Sequence, residues 1–293
     1  MFCNRLSDFI ERKNILNDCQ FGFRPKYSTS FALCELIETI TDALENNNNV
    51  LGIFVDLRKA FDTVNHNVLI DKLEHYGVRG VALKWIKSYL SDRFQYVSFN
   101  NTNSTKLKIG CGVPQGSILG PVLFLLYIND LCNASTMLKS VLFADDTNFL
   151  CNENIENVNV ELNHVNIWFK VNKMSVNIKK SNFILFSKKS NTQTDVVIDN
   201  NIVNKVSETR FLGIIIDEKL NWKKQIDYVE KKLSRGIGIL YKVKDVLDVK
   251  SLCMLYYSLI YPYLNYCCEI WGNTYTTRLK HVIILQKRAI RYN

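Results

Sequence analysis

Two adjacent aspartates, Asp145 and Asp146, are the residues whose type and setting point most directly to chemistry. They stand between two short apolar runs, 140–142 and 148–150, so the sequence predicts two strands joined by a tight turn that carries both acids. Aspartate is common in turns, and this is the structural explanation of the pair. The functional explanation is that adjacent carboxylates repel each other and remain ionised together best beside a cation. The pair alone does not decide between the two.

A third carboxylate, Asp56, favours the functional explanation. It follows the apolar run 50–55, which is rich in β-branched residues and is predicted to be a strand. Three carboxylates with no histidine or cysteine nearby favour Mg²⁺ over zinc. Two such ions, about 3.5–4 Å apart, would serve a phosphoryl transfer reaction. The sequence therefore predicts a metal site assembled from one strand end and one hairpin.

The elements that must position these acids lie in three segments. They are 55–64 (VDLRKAFDTV), 112–121 (GVPQGSILGP) and 143–146 (FADD). In this order and spacing they resemble motifs A, B and C of a reverse transcriptase, and most of all the enzymes of non-LTR (LINE-type) retrotransposons. The resemblance runs over nearly the whole chain. It implies an α+β right-hand polymerase fold, with partial fingers, an antiparallel palm and a helical thumb.

The resemblance implies RNA-templated DNA synthesis, in which a primer 3′-hydroxyl attacks a dNTP. Asp56, Asp145 and Asp146 would be catalytic and would hold two Mg²⁺ ions, or Mn²⁺, with the Leu57 carbonyl as a further ligand. Asp146 also has a structural alternative, because neighbouring carboxylates at a tip point in different directions. The implied partners are an RNA template, a DNA primer or target, and dNTPs. The sequence does not indicate an oligomeric state.

Two further residues are assigned to the incoming nucleotide by resemblance. Phe61 corresponds to the bulky residue that rejects a ribose 2′-hydroxyl, and Gln115 to the residue that contacts the nucleotide or the template base. Without the resemblance, Phe61 is expected in the core and Gln115 in a cap within a glycine-rich loop. The nearby Asp62 is expected to support the turn rather than to bind metal.

Basic residues near the acids are expected to contact the triphosphate. Segment 177–181 resembles motif D, in which Lys180 corresponds to a lysine near the triphosphate and Lys179 is the alternative. Arg58 and Lys59 directly follow motif A and are expected at the same nucleotide. Taken without the resemblance, both lysines of segment 177–181 form a solvated basic turn.

Contacts to the nucleic acid are expected at three other places. Arg24 lies in segment 20–24, which resembles a Gln-x-Gly-Phe-Arg segment of the fingers, and segment 209–214 resembles motif E, a hairpin that grips the primer end. The motif E residues concerned are Phe211, Leu212 and Gly213. Further along the chain, a predicted helix with an apolar stripe carries a basic stripe on its opposite side. That stripe consists of Lys224, Lys231, Arg235 and Lys242. A solvated charged face is the alternative explanation of the stripe.

The expected domains are partial fingers over 1–49, a palm over 50–216 with fingers-side elements around 77–110, and a thumb over 217–293. In the family, an Arg-Pro-Ile-Ser segment precedes the part of the fingers that this chain contains, and the chain lacks it. We expect a fragment truncated at both ends. Its activity is therefore an open question, and a weak or inactive relic that only binds nucleic acid is the alternative. Another palm polymerase, such as an intron maturase or an RNA-templated RNA polymerase, is a third candidate.

Composition agrees with a nucleic-acid partner. The 293 residues carry a formal net charge of +9 and are 47% hydrophobic, which is ordinary for a chain with a core. No apolar run reaches the roughly 20 residues that cross a bilayer, so no membrane partner is expected. A nuclear location of the protein is expected only because non-LTR retrotransposons, which this chain resembles, replicate in that compartment. The nine cysteines are scattered without a Cys-x-x-Cys pair, which predicts reduced thiols and no zinc site.

Overall fold

The structure is a computed structural model that describes residues 2–152, 155–187 and 195–292. Its α-helices are α1 (Phe2–Arg12), α2 (Thr29–Glu45), α3 (His66–His75), α4 (Gly80–Leu90), α5 (Leu119–Ile128), α6 (Ile155–Val171), α7 (Lys223–Val243), α8 (Val249–Leu259), α9 (Tyr261–Asn265), α10 (Cys268–Trp271) and α11 (Thr276–Ile290). Short 3-10 helices cover Ala60–Asp62 and Asn129–Ala134. Its strands are β1 (Val50–Val55), β2 (Phe94–Gln95), β3 (Ser98–Phe99), β4 (Thr102–Asn103), β5 (Leu107–Lys108), β6 (Lys139–Phe143), β7 (Asp146–Cys151), β8 (Asn182–Phe186), β9 (Val197–Ile198), β10 (Asn201–Ile202), β11 (Asn204–Lys205), β12 (Glu208–Phe211) and β13 (Ile214–Asp217).

A five-stranded sheet in the order β11-β8-β1-β7-β6 forms the centre of the protein. Strand β1 is buried along its whole length and pairs antiparallel with both β7 and β8. Strand β6 pairs antiparallel with β7, whereas β11 joins the edge of the sheet parallel to β8. The predicted strands around Asp56 and around the Asp-Asp pair are therefore confirmed, and they are direct neighbours.

The sheet separates two hydrophobic cores. Because successive side chains of a strand point to opposite faces, Leu51, Ile53 and Val55 enter one core, whereas Val50 and Phe54 enter the other. Helices α1, α3, α4, α5 and α6 pack into the first core, and helices α2, α7, α8 and α11 pack into the second. Cover on both faces explains why β1 is uniformly apolar and not alternating.

Local sequence signals set the ends of several helices. Ser28 caps α2 and accepts a hydrogen bond from the Phe31 N–H at 3.3 Å. Asn65 caps α3 in the same way, by accepting bonds from the N–H groups of Asn67 and Val68. Gly77, with a φ of 92°, follows α3 in the positive-φ conformation that commonly ends a helix.

Helix α7 runs unbroken through Gly236 and Gly238, although glycine is a weak helix former. A Cβ atom at Gly236 would lie 3.1 Å from the Ile260 side chain and from the Leu259 carbonyl oxygen. Gly236 therefore permits close packing against the end of α8, and this contact offsets the weak helix propensity of glycine.

Two features of the remaining residues differ from what their pattern in the sequence suggests. A cluster of tyrosines such as that at 256–266 is typical of a core, yet only Tyr256 is buried among them, whereas Tyr257, Tyr261 and Tyr266 are exposed. The cysteines were expected to be reduced, but the structure joins Cys19 to Cys132. Scattered spacing in the sequence carries no information about such a pair, because the two residues are 113 positions apart. Within the described ranges, every helix is too short or too polar to span a lipid bilayer.

Candidate active site

The register of the sheet brings the three predicted acids to one edge. The ladder between β1 and β7 ends with Val55 opposite Thr147, so Asp56 and Asp146 occupy the next, facing positions. Asp145 lies in the two-residue turn between β6 and β7, whose last pair is Phe143 and Asp146. The strand end and the hairpin tip therefore meet, as the sequence predicted.

The three carboxylates influence one another electrostatically. Burial, together with the negative charge of Asp56, raises the pKa of Asp145. Burial, followed by the charges of Asp145 and Asp56, raises the pKa of Asp146 to about 6. Asp146 keeps an exposed surface at the hairpin tip, where the charges of Asp145 and Asp56 also act on it. The cluster is a site where a cation would be favoured.

The donor chemistry of the cluster suits a hard divalent cation, because carboxylate oxygens are the ligands that Mg²⁺ and Mn²⁺ prefer. The part of the chain that the structure describes contains no group of three or more His, Cys, Asp and Glu side chains arranged to hold a metal ion. The fit of the acids to a metal therefore depends on their shared sheet edge and mutual repulsion. Beside Leu57, the Asp56 carbonyl accepts from the Asn177 N–H and the Arg58 N–H donates to the Ser175 carbonyl.

Asp56 is held in place by the segment that resembles motif D. The Asn177 side-chain Nδ2 donates to Asp56 Oδ2 at 2.9 Å, and the Asn177 N–H donates to the Asp56 carbonyl at 2.8 Å. The Asp56 N–H in turn donates to Ser181 Oγ at 3.1 Å. The exposed side chains of Lys179 and Lys180 belong to this same turn. Sequence reasoning gave Asn177 no role, because nothing local shows which carboxylate an asparagine will meet.

Phe61 lies half-buried beside the acidic edge, in the 3-10 helix that follows Asp56. Its ring stacks on Phe124 with a centroid distance of 4.2 Å and meets Phe23 edge-on at 6.4 Å. Such packing fixes a bulky side chain in one orientation. Phe61 is therefore partly a core residue, as expected without the resemblance, and part of its ring remains accessible to solvent.

The glycine-rich segment is fastened to the turn after Asp56. Gln115 is exposed, and its Nε2 donates to Asp62 Oδ1 at 2.8 Å. The Gly112 N–H donates to the Val64 carbonyl at 2.7 Å, and a Cβ atom at Gly112 would lie 2.7 Å from the Asp62 carbonyl oxygen. With a φ of 87°, Gly112 occupies a backbone conformation and a space that favour glycine. Motifs A and B therefore form one unit at the acidic edge.

Arg58 and Lys59 are both exposed, and Lys59 has a left-handed backbone with a φ of 46°. Arg24, in contrast, is engaged within its own loop. Its Nη1 donates to the carbonyls of Asn17 and Gln20, and its guanidinium lies 4.3 Å from the centroid of the Tyr27 ring. These contacts give Arg24 a role in shaping the loop.

The predicted motif E is a hairpin of β12 and β13 with Leu212 and Gly213 in its turn. Both turn residues have positive φ, at 44° and 85°, which is the pattern of a type I′ hairpin turn. The Tyr266 hydroxyl donates to the Leu212 carbonyl at 2.6 Å. Phe211 is buried, with its ring 6.4 Å from that of Phe54, so its side chain supports the sheet.

The basic stripe of α7 is exposed as predicted. The four residues Lys224, Lys231, Arg235 and Lys242 all face solvent, opposite the buried side of the helix. Lys224 Nζ lies 3.8 Å from a Glu208 carboxylate oxygen. No ion pair engages the other three among the described residues.

Comparison with known proteins places these features in a family. Residues 1–216 match the family described as reverse transcriptase (RNA-dependent DNA polymerase). The chain is 28% identical to the probable RNA-directed DNA polymerase from transposon X-element of Drosophila melanogaster, over 98% of this chain and 33% of that protein. It is 30% identical to the corresponding protein from transposon BS, over 99% of this chain and 34% of that protein. The chain thus spans about a third of the length of the curated relatives it matches.

Solved structures establish the fold. A telomerase of Candida albicans, in complex with a fragment of telomeric RNA, superposes over 99% of this chain and 55% of its own, with a TM-score of 0.55 at 12% identity. A telomerase of Candida tropicalis superposes over 99% of this chain and 51% of its own, with a TM-score of 0.55 at 14% identity. These similarities concern the fold alone, and they confirm the predicted α+β right-hand polymerase architecture.

Proposed function

The chain belongs to the reverse transcriptase family, and we propose that it is the polymerase part of a non-LTR retrotransposon protein that copies RNA into DNA. One observation carries the proposal: Asp56, Asp145 and Asp146 share one edge of an antiparallel sheet and repel one another there. Such repulsion is unfavourable for the folded chain unless a bound cation offsets it. Polymerisation at a pair of divalent ions is the chemistry that the family performs at this place.

The proposed cofactor is a pair of Mg²⁺ ions, with Mn²⁺ as a substitute, since reverse transcriptases normally use divalent metal ions. Asp56, Asp145 and Asp146 would hold them, together with the Leu57 carbonyl. When bound, the ions would activate a primer 3′-hydroxyl and stabilise the negative charge on the departing pyrophosphate. The contribution of the chain is to fix the ligands. Asn177 restrains the Asp56 carboxylate by a hydrogen bond of 2.9 Å.

The nucleotide would lie against the unit formed by motifs A and B. We propose that Phe61, wedged between Phe23 and Phe124, blocks a ribose 2′-hydroxyl. Gln115, oriented by Asp62, would contact the nucleotide or the template base. Exposed basic side chains close to the acids would neutralise the triphosphate. They are Arg58, Lys59 and Lys180, with Lys179 as the alternative to Lys180.

The proposed partners are an RNA template, a DNA primer or target and dNTPs. The net charge of +9 and the exposed stripe on α7 suit binding through phosphates, and affinity should then fall steeply with salt. The proposed domains remain fingers over 1–49, palm over 50–216 and thumb over 217–293. The relatives of this chain are retrotransposon proteins, and a nuclear site of action is proposed on that basis.

Primer extension on an RNA template, with Mg²⁺ and either dNTPs or rNTPs, tests this function. We expect extension with dNTPs and its loss, by at least a hundredfold, in Asp145→Asn. Asp92→Asn is the matched control, because Asp92 is an exposed acid that pairs with Lys108 at 2.9 Å. Template binding without any extension would instead support an inactive relic. Extension with rNTPs alone would support an RNA polymerase.

A further inference from the structure

A loop far from the catalytic hairpin in sequence lies directly beneath its tip. The Leu142 N–H donates to the Cys19 carbonyl, and the Phe21 N–H donates to the Leu142 carbonyl, both at 2.8 Å. This short parallel bridge brings Gln20 under the end of β6, where its side chain is almost completely buried, with 1% of its surface exposed. The loop therefore contacts the residues that immediately precede Asp145.

The Gln20 amide oxygen makes two hydrogen bonds at this place. Oε1 accepts from the Ala144 N–H at 2.9 Å and from the Gly22 N–H at 2.8 Å. Because both partners are donors, only the oxygen of the amide can face them, so the orientation of the side chain is fixed. The Gln20 Nε2 is buried with no hydrogen-bond partner in the described structure. A buried donor without a partner is unfavourable, so the contribution of Gln20 lies in its oxygen.

The tip that Gln20 contacts has an unusual backbone. Ala144, the first residue of the two-residue turn, has a φ of 55°, in the region that favours glycine. A Cβ atom at Gly22 would lie 2.3 Å from the Ala144 nitrogen, so only glycine lets the loop approach this closely. The loop therefore packs directly against the Ala144 backbone, and the Gln20 amide oxygen accepts a hydrogen bond from the Ala144 N–H.

We propose that Gln20, seated by Gly22, is a positioning residue that holds Ala144 in its left-handed conformation. It thereby sets the direction in which Asp145 and Asp146 present their carboxylates. The inference rests on the proposed polymerase function of these acids. It assigns to the loop around residue 20 a role in shaping the metal site, in addition to any contact of that loop with nucleic acid.

Gln20→Met tests the proposal, since methionine has a similar length but no amide oxygen to accept the two bonds. Two measurements are made on the full chain: Mn²⁺ affinity by calorimetric titration without nucleotide or nucleic acid, and kcat and KM for dNTP in primer extension. We expect Mn²⁺ to bind at least fivefold more weakly and kcat to fall about tenfold, with KM for dNTP within twofold of the parent. Adding Ala144→Gly should restore part of both losses, because glycine adopts a positive φ without strain.

Asn129→Leu is the matched control. Asn129 is also a buried amide that fastens the N-terminal segment, accepting from the Asn17 N–H and donating to the Ile15 carbonyl, both at 2.8 Å. Its loss should lower the melting temperature and leave Mn²⁺ affinity unchanged. If Gln20→Met behaves like this control, with Mn²⁺ affinity and kcat at parental values, the positioning role is overturned.

The two measurements distinguish a failure of the proposed function from a failure of the positioning role of Gln20. A parent chain that extends no primer contradicts the proposed function, whereas the Mn²⁺ titration still decides whether Gln20 shapes the carboxylate cluster. Should Gln20→Met fail to fold, Gln20→Asn serves instead, because its amide is one methylene shorter and cannot reach both donors. We then expect a smaller loss in the same direction, and parental Mn²⁺ affinity in that variant would overturn the proposal.

Discussion

Removing the negative charge of Asp146 should stabilise the metal-free protein. Burial and the charges of Asp145 and Asp56 raise the pKa of Asp146 to about 6, above the value of an unfolded chain. Between about pH 4 and pH 6 the folded state therefore binds more protons than the unfolded state. By linkage, the free energy of unfolding falls as pH rises through this window, and the repulsion is fully present above it. Asp146→Asn removes the repulsion at neutral pH.

The size of the effect follows from the shift. A shift of about two pH units, at about 1.36 kcal/mol each, sets an upper limit of about 3 kcal/mol. Because Asp146 keeps an exposed surface, solvent screening reduces this, and we expect about 1 kcal/mol. For a chain of this size that corresponds to a rise in melting temperature of roughly 2 °C. At pH 4.5 the folded parent is already protonated at Asp146, so the gain should largely disappear.

Thermal unfolding at pH 7.5 and pH 4.5, in EDTA and in Mg²⁺, measures these differences. With Mg²⁺ at ten times its dissociation constant, the parent should gain about 1.4 kcal/mol, whereas Asp146→Asn should gain less. Asp217→Asn is the control, because buried Asp217 accepts from the N–H groups of Lys219, Asn221 and Trp222, and the same substitution should there be destabilising. A variant at Asp146 that is no more stable than the parent at pH 7.5 without metal would refute the repulsion argument.

Three further predictions concern copying itself. Phe61→Val should raise the ratio of rNTP to dNTP incorporation at least tenfold, as measured by competing nucleotides in primer extension, and an unchanged ratio would contradict the proposed 2′-hydroxyl block. Asp62→Ala should raise KM for dNTP severalfold by releasing the Gln115 amide, and Gln115→Met should reproduce this effect without adding to it in the double variant. Replacing Lys231 and Arg235 by Gln should reduce the slope of log affinity for an RNA–DNA duplex against log salt by about two, measured by fluorescence anisotropy. A slope equal to that of the parent would indicate that this basic face of α7 is only solvated.

The main elements of the site could be predicted because each has a local cause. An apolar run that ends in Asp56 fits a buried strand, and two acids between short apolar runs fit a hairpin tip. The register that makes β1 and β7 neighbours is consistent with those patterns, although periodicity alone does not specify it. The basic face of α7 could be predicted for the same reason, since helical spacing assigns each side chain to a side.

The supports of the site could not be predicted, because they join residues distant in sequence. Asn177 and Asp56 are 121 positions apart, and Gln20 and Ala144 are 124 apart. Nothing in the local pattern of either amide indicates its partner. For a related reason, the sequence does not specify that the tyrosines near 260 are exposed. Aromatic residues satisfy the pattern of a core equally well when they lie on a surface, as Tyr257 and Tyr261 do.

The contacts of the acidic edge show why its supports come from two segments outside the strands that carry the acids. Asp56 follows a strand whose last paired residue, Val55, lies one position before it, so the ladder alone does not hold the Asp56 carboxylate. The hairpin tip is still less constrained, because its first residue, Ala144, has a backbone conformation that its own side chain disfavours. Rigid ligands at the end of a sheet therefore require bonds from outside the sheet, and Asn177 and Gln20 supply them. If this is correct, the acidic edge will be more sensitive to substitution of these two amides than to substitution of larger apolar residues in either core.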